Sequence, residues 1–186
     1  TRRQRQMCIR DSKYCVVECG SWWVGDLLWK ADVNFGASWK IKKMSSRMKG
    51  LLTKLPSEYF GDSVFIGAST MSRYEIRERH RNGIDALMWG TDYPHPEGSW
   101  PNTVHRLEND FQDVSIEDTR RLLGLNAIEC YDLDVEGLTT VANRIGPTPE
   151  KLNQDPALRT SPTAKRDARW WFDEYGIEWS GPENGL

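Results

Sequence analysis

Histidine is scarce in this chain: three among 186 residues, His80, His95 and His105. Only His95 sits where chemistry is plausible, so a tight zinc centre cannot be assembled from this chain's imidazoles alone. The four cysteines, Cys8, Cys15, Cys19 and Cys130, include no CxxC pair. That spacing indicates neither a zinc knuckle nor a disulfide framework, and the cysteines read as reduced thiols of a cytoplasmic protein. Long apolar runs are missing. None approaches the ~20 residues of a membrane span, nothing resembles a signal peptide, and no membrane partner is expected. An excess of one charge is missing as well: 25 Lys and Arg stand against 27 Asp and Glu, a net charge of −2. With a pI near 6.0, nucleic acid is not expected as a general partner. There is no internal repeat and no low-complexity block.

What is present is a β–α–β rhythm. Tyr14 to Gly20 (YCVVECG), Asp62 to Ala68 (DSVFIGA) and Asp85 to Asp92 (DALMWGTD) read as strands, each short, apolar and ending near glycine. Alternation places Val16 and Glu18 on one face of the first strand and Cys15, Val17 and Cys19 on the other. Ser21 fits a helix N-cap before the apolar stripe Trp22, Trp23, Leu27 and Leu28. Ala37 to Leu55 predicts a long amphipathic helix with a solvated lysine face. Ser72 to Asn82 predicts a charged helix closed by Gly83, with His80 on its surface. Further helices are expected over Asn102 to Phe111, after a Ser115 cap, and over Leu138 to Gly146. Strands alternating with helices give an α/β fold with a parallel sheet and right-handed crossovers. The nine tryptophans are assigned to packing first.

Chemistry concentrates after the third strand. In Trp89-Gly90-Thr91-Asp92-Tyr93-Pro94-His95-Pro96-Glu97-Gly98-Ser99-Trp100-Pro101 a buried strand empties into an acid, a hydroxyl, an aromatic and a histidine. Pro94 and Pro96 stiffen the backbone on either side of His95. Strand carboxyl ends are where α/β enzymes carry reactive groups. Glu18 stands at the same rim of the sheet, so Asp92, Glu18 and His95 could share a cation and activate water. Asp92 is the first candidate, as ligand or general base, and His95 the second, as a substrate-contacting or orienting group. Glu18 is either an oxygen donor or base, or a buried acid paired to an arginine. Glu97 and Trp100 are candidate pocket walls. No nucleophile-elbow context surrounds Ser69.

This stretch resembles the last-strand signature of the amidohydrolase-related family, the TIM-barrel metal-dependent hydrolases and non-oxidative decarboxylases similar to aminocarboxymuconate-semialdehyde decarboxylase. Pro56-Ser57-Glu58-Tyr59, Ile66-Gly67-Ala68-Ser69 and Asn126-Ala127-Ile128-Glu129-Cys130-Tyr131 match its pattern too, the last with Asn126 as a brace. The resemblance implies that Asp92 ends the eighth barrel strand as metal ligand or base. It implies a histidine after the sixth strand, where this chain has Glu18-Cys19-Gly20, a departure from a standard zinc site. A whole barrel needs ~250 residues, so the resemblance implies a C-terminal fragment of about three β/α units, with two open sheet edges and poor solubility expected. Residues 1–12 (TRRQRQMCIRDS) resemble translated adapter sequence from assembled environmental DNA and are read as a non-native leader. Residues 13–133 are read as the incomplete barrel and 134–186 as a helical or irregular extension. The implied activity is hydrolysis of a small carbonyl or carboxylate compound with a divalent ion, zinc first, in a homo-oligomeric parent protein. The chain alone is expected to be inactive. A decarboxylase and a non-catalytic assembly module that has lost its metal remain as alternatives.

Overall fold

The computed structural model describes residues 12–38, 52–148 and 152. Three strands form one parallel sheet: β1 (Tyr14–Val17), β2 (Val64–Gly67) and β3 (Leu87–Met88), in the order β1-β2-β3. Tyr14 aligns with Val64 and Val17 with Gly67, while Ile66 aligns with Leu87. Parallel neighbours cannot be joined by a hairpin. The crossovers carry α1 (Val24–Ser38) with a 3-10 turn at Pro56–Tyr59, then α2 (Arg73–Arg77). After β3 come α3 (Thr103–Phe111), α4 (Ile116–Arg120), a π turn (Arg121–Leu125), α5 (Asn126–Tyr131) and α6 (Val135–Ile145).

Alternation along the strands divides the core. Val16, Ile66, Ala68, Leu87 and Trp89 face Val24 and Leu28 of α1, Met71, Ile76 of α2, and Leu107 and Phe111 of α3. Cys15, Phe65 and Met88 face the other way and meet Ala127 and Cys130 of α5. The sheet is therefore covered on both faces, as a parallel sheet requires.

Local chemistry sets the element ends. Ser72 caps α2 through a reciprocal box with Glu75, and Ser115 accepts from the Asp118 N–H at 3.1 Å. Asp134 caps α6 by accepting from the Glu136 and Gly137 N–H groups. Gly67 lets β1 and β2 close up, since a Cβ there would stand 3.0 Å from Val17 Cγ1.

Several expectations are corrected. The stripe of Trp22, Trp23, Leu27 and Leu28 holds only in part: Val24, Leu28 and Phe35 are buried and Trp23 packs against the core, while Trp22 and Leu27 are exposed. Leu28 and Phe35 lie seven residues apart, two helical turns, so they line the buried face that Trp22 and Leu27 miss. The helix predicted over Ala37–Leu55 falls largely outside the described residues, and Leu52–Leu55 is not helical. Helix α2 stops at Arg77 and gives way to turns before Gly83, which has φ 81°. Cys19 packs with the Val16 side rather than with Cys15, because Glu18 leaves the strand at φ 58° and breaks the alternation.

The sheet does not have two open edges. Leu87 C=O and Trp89 N–H point away from β2, and both are met by the helical run that follows. Asn126 Nδ2 donates to the Leu87 and Ile84 carbonyls, each at 2.7 Å, and Trp89 N–H donates to the Leu122 carbonyl at 3.0 Å. That carbonyl belongs to the π turn, where the helix ladder is loosened. No described strand pairs with the outer edge of β1, whose Tyr14 and Val17 are exposed.

Candidate metal centre

The strand ends form one rim, and each is turned by a residue in left-handed conformation. Glu18 follows β1 with φ 58°, Ser69 follows β2 with φ 53°, and Asp92 follows β3 with φ 58°. None is glycine, so each carries the steric cost of a Cβ in that region. Glu18 N–H still donates to Gly67 O at 2.8 Å, and Gly90 N–H to Ser69 O at 3.0 Å. The reversal thus comes directly where the sheet ladder ends.

The loop after β1 is anchored from α2. Glu75 is buried and accepts from both the backbone N–H and the hydroxyl of Ser21. It also accepts from Ser72 N–H at 2.9 Å and Ser72 Oγ at 2.8 Å. Trp23 Nε1 donates to Cys19 O at 2.9 Å. The loop after β3 closes on itself: His95 N–H reaches Asp92 O, Gly98 N–H reaches His95 O, and Ser99 N–H reaches Thr91 O, at 2.8–2.9 Å. Ser99 is fully buried, and its hydroxyl lies 3.0 Å from Thr103 Oγ1 at the start of α3. Tyr93-Pro94 and Trp100-Pro101 are cis.

Between these two loops three side chains converge. His95 Nδ1 lies 3.4 Å from Glu18 Oε1 and 3.4 Å from Asp92 Oδ1. One ligand atom from each of Glu18, Asp92 and His95 lies within 4.8 Å of the others. The Asp92 side chain is 12% exposed, against 59% for Glu18 and 52% for His95. A tetrahedral ion with bonds of about 2.1 Å separates its ligands by about 3.4 Å, the spacing of His95 Nδ1 from each carboxylate. Two carboxylates and one imidazole suit zinc, manganese or ferrous iron rather than a thiolate-loving ion. Without a cation, the same contacts become ion pairs whenever the imidazole is protonated.

Of the sequence candidates, Asp92, His95 and Glu18 are brought together. His95 faces both carboxylates directly instead of only bracing Asp92, and Glu18 is exposed rather than buried against an arginine. Glu97 is exposed and outside the trio. Trp100 is 67% exposed and sets its ring edge-on to Tyr93 at 5.8 Å. His80 pairs with Asp118 at 3.1 Å. A groove of about 660 Å³ lined by Leu28, Trp29, Phe60, Arg81 and Asp85 shares no residue with the trio.

Sequence reasoning overlooked Glu75 and passed over Ser69 once it lacked the context of a nucleophile. The capping pattern Ser72-x-x-Glu75 was the available signal for the first. Nothing in the residue types announced the backbone conformation of the second.

A parallel α/β sheet with metal-type donors converging at the strand carboxyl ends defines an enzyme class whose chemistry sits on strand-end loops. A family model described as amidohydrolase matches residues 11–133, and the chain belongs to that family. Its members generally use divalent metals. Compared with the curated proteins, the sequence finds no match. Among the described residues no helix is long and apolar enough to cross a membrane.

Proposed function

We propose that the chain is the C-terminal part of a metal-dependent hydrolase acting on a small carbonyl or carboxylate compound. In this reading Glu18, Asp92 and His95 hold a divalent cation, with zinc the first ion to test. The observation that carries it is His95 Nδ1 standing 3.4 Å from both carboxylates, one on each of two strand-end loops. A divalent cation there supplies Lewis-acid charge that polarises a substrate carbonyl. Asp92, the most shielded of the three, is the fixed donor and the candidate base for an attacking water. Glu18 closes the group from β1. With Nδ1 turned to the acids, the nitrogen on the far side of the His95 ring is left to contact substrate. A cytoplasmic, homo-oligomeric parent protein supplying the remaining barrel strands and ligands completes the reading, and the chain alone is expected to be inactive.

The test is a zinc titration of the full chain followed by calorimetry. The expected result is one ion per chain, held weakly, with affinity reduced at least ~10-fold in Asp92→Asn, Glu18→Gln and His95→Gln. Equal affinity in the parent and all three variants would remove the site. If the completed enzyme released carbon dioxide from its substrate without incorporating water, a decarboxylase similar to aminocarboxymuconate-semialdehyde decarboxylase would replace the hydrolase.

A further inference from the structure

A second group of reactive side chains lies on the other face of the sheet, away from the rim. Cys15 of β1 points toward α5, where Cys130 shares its apolar cluster with Phe65, Met88 and Ala127. The hydroxyl of Tyr131, the residue after Cys130, donates to Cys15 Sγ at 3.6 Å. Lys13 fastens the same two elements: its ammonium donates to Glu129 O and lies 5.7 Å from the Phe65 ring centroid. Two cysteines far apart in sequence thus border one apolar cluster between a strand and a helix. Both are free thiols.

We propose that Cys15 and Cys130 are a dithiol that a low-molecular-weight disulfide converts into an intramolecular disulfide bridging β1 and α5. The Cys15 thiolate attacks one sulfur of the reagent, forming a mixed disulfide and releasing one thiolate. The Cys130 thiolate then attacks the Cys15 sulfur, forming the internal bond and releasing the second thiolate. The protein loses two protons and two electrons, and the reagent is reduced to two thiols.

The surroundings assign the order of attack. Cys15 is partly exposed and Cys130 is buried. The Cys130 thiol is pushed up to about 11, by burial first and then by the charge and hydrogen bond of Cys15, with Lys13 opposing. The Tyr131 hydroxyl is pushed up to about 12, by its hydrogen bond to Cys15 first and by burial second. Both therefore keep their protons near neutrality, and Tyr131 donates its own to the Cys15 sulfur, the more accessible one. The second step is the slow one, because Cys130 must lose its proton first. Cys19 does not compete: it packs on the opposite side of the sheet, lies 3.4 Å from Gly20 O, and its thiol is raised by burial.

The test uses the full chain carrying Cys8→Ser and Cys19→Ser, folded, with oxidised glutathione as the reagent. Remaining thiols are alkylated and the peptides mapped by mass spectrometry before and after reduction. The expected product joins the Cys15 and Cys130 peptides, lacks two hydrogens, resists alkylation at both sulfurs and melts at a higher temperature than the reduced chain. In Cys130→Ser the reaction should stop at a glutathione adduct on Cys15. Separate adducts on both cysteines, an intermolecular dimer, or two freely alkylated thiols would overturn the proposal. So would internal bridging as fast in the urea-unfolded chain as in the folded one.

Discussion

Asn126 is the residue whose loss should be felt furthest from its own position. It is fully buried, and its amide nitrogen gives both hydrogens away, to Ile84 O and Leu87 O at 2.7 Å each. Its carbonyl accepts from Arg121 Nη1 at 3.3 Å. In Asn126→Ala the Leu87 carbonyl loses its partner, while Ile84 O keeps the Leu87 N–H. A buried polar group left unsatisfied costs about 1–3 kcal/mol, the lower end applying if water enters the gap. For a chain of this length each 1 kcal/mol lowers the melting midpoint by about 2–4 °C, giving a fall of roughly 2–12 °C. Asn126→Asp should do at least as much damage, since carboxylate oxygens would face the two carbonyls in place of donors. Paired thermal and urea unfolding of the parent and both variants measures this. If Asn126→Ala falls within ~0.5 kcal/mol of the parent, the range of an ordinary surface substitution, the closed edge of β3 contributes nothing and the reasoning fails.

Gly98→Ala should disturb the loop that presents Asp92 and His95, because the new Cβ would stand 2.9 Å from the carbonyl oxygens of Thr91, Asp92 and His95. A loss of about 1–3 kcal/mol, together with weaker zinc binding in the titration above, is expected. Glu75→Gln keeps the shape but turns one oxygen into a donor aimed at the N–H of either Ser21 or Ser72, so it should cost about 1–3 kcal/mol and lower zinc affinity by loosening the turn at Glu18. Asp110 predicts a pH dependence. Its carboxyl is pushed up to about 6 by burial, which outweighs the attraction of Arg106. The folded chain therefore keeps a proton between about pH 4 and 6 that the unfolded chain has released, and stability falls as pH rises through that window. The drop is at most about 3 kcal/mol. Asp110→Asn should flatten it, as read from urea midpoints at successive pH values.

Parallel order, strand positions and the Ser115 cap were legible in the sequence because they rest on local chemistry, β-branched runs and a hydroxyl cap, while the Asn126 brace was legible through the family resemblance. Asp92, His95 and Glu18 were legible as candidates because strand ends carry reactive groups. Their mutual distances were not, since the sequence says nothing of how the two loops fold toward each other. The burial of α1 misled because Trp22 is the larger apolar residue, yet Val24 is the one turned toward the sheet. The closing of the β3 edge was missed for a similar reason. It depends on the Leu122 carbonyl of a π turn, and no residue pattern marks such a turn.

The three rim residues Glu18, Ser69 and Asp92 share one physical oddity, a positive φ without glycine. Each departure costs on the order of 1 kcal/mol or more, and glycine would relieve it at every one of the three. Aspartate tolerates the left-handed region better than most residues, but glutamate and serine have no such advantage. Strain confined to the three consecutive strand ends, two of which deliver the carboxylates that meet His95, is unlike strain scattered through surface turns. Asp132 shows the contrast: its φ of 53° ends helix α5, where a left-handed residue is an ordinary stop. At the rim two of the three reversals fall on the residues whose carboxylates stand 3.4 Å from His95 Nδ1. The buried Glu75 and Ser99 hold the two loops that carry those carboxylates, which is why both residues belong to the account of the site.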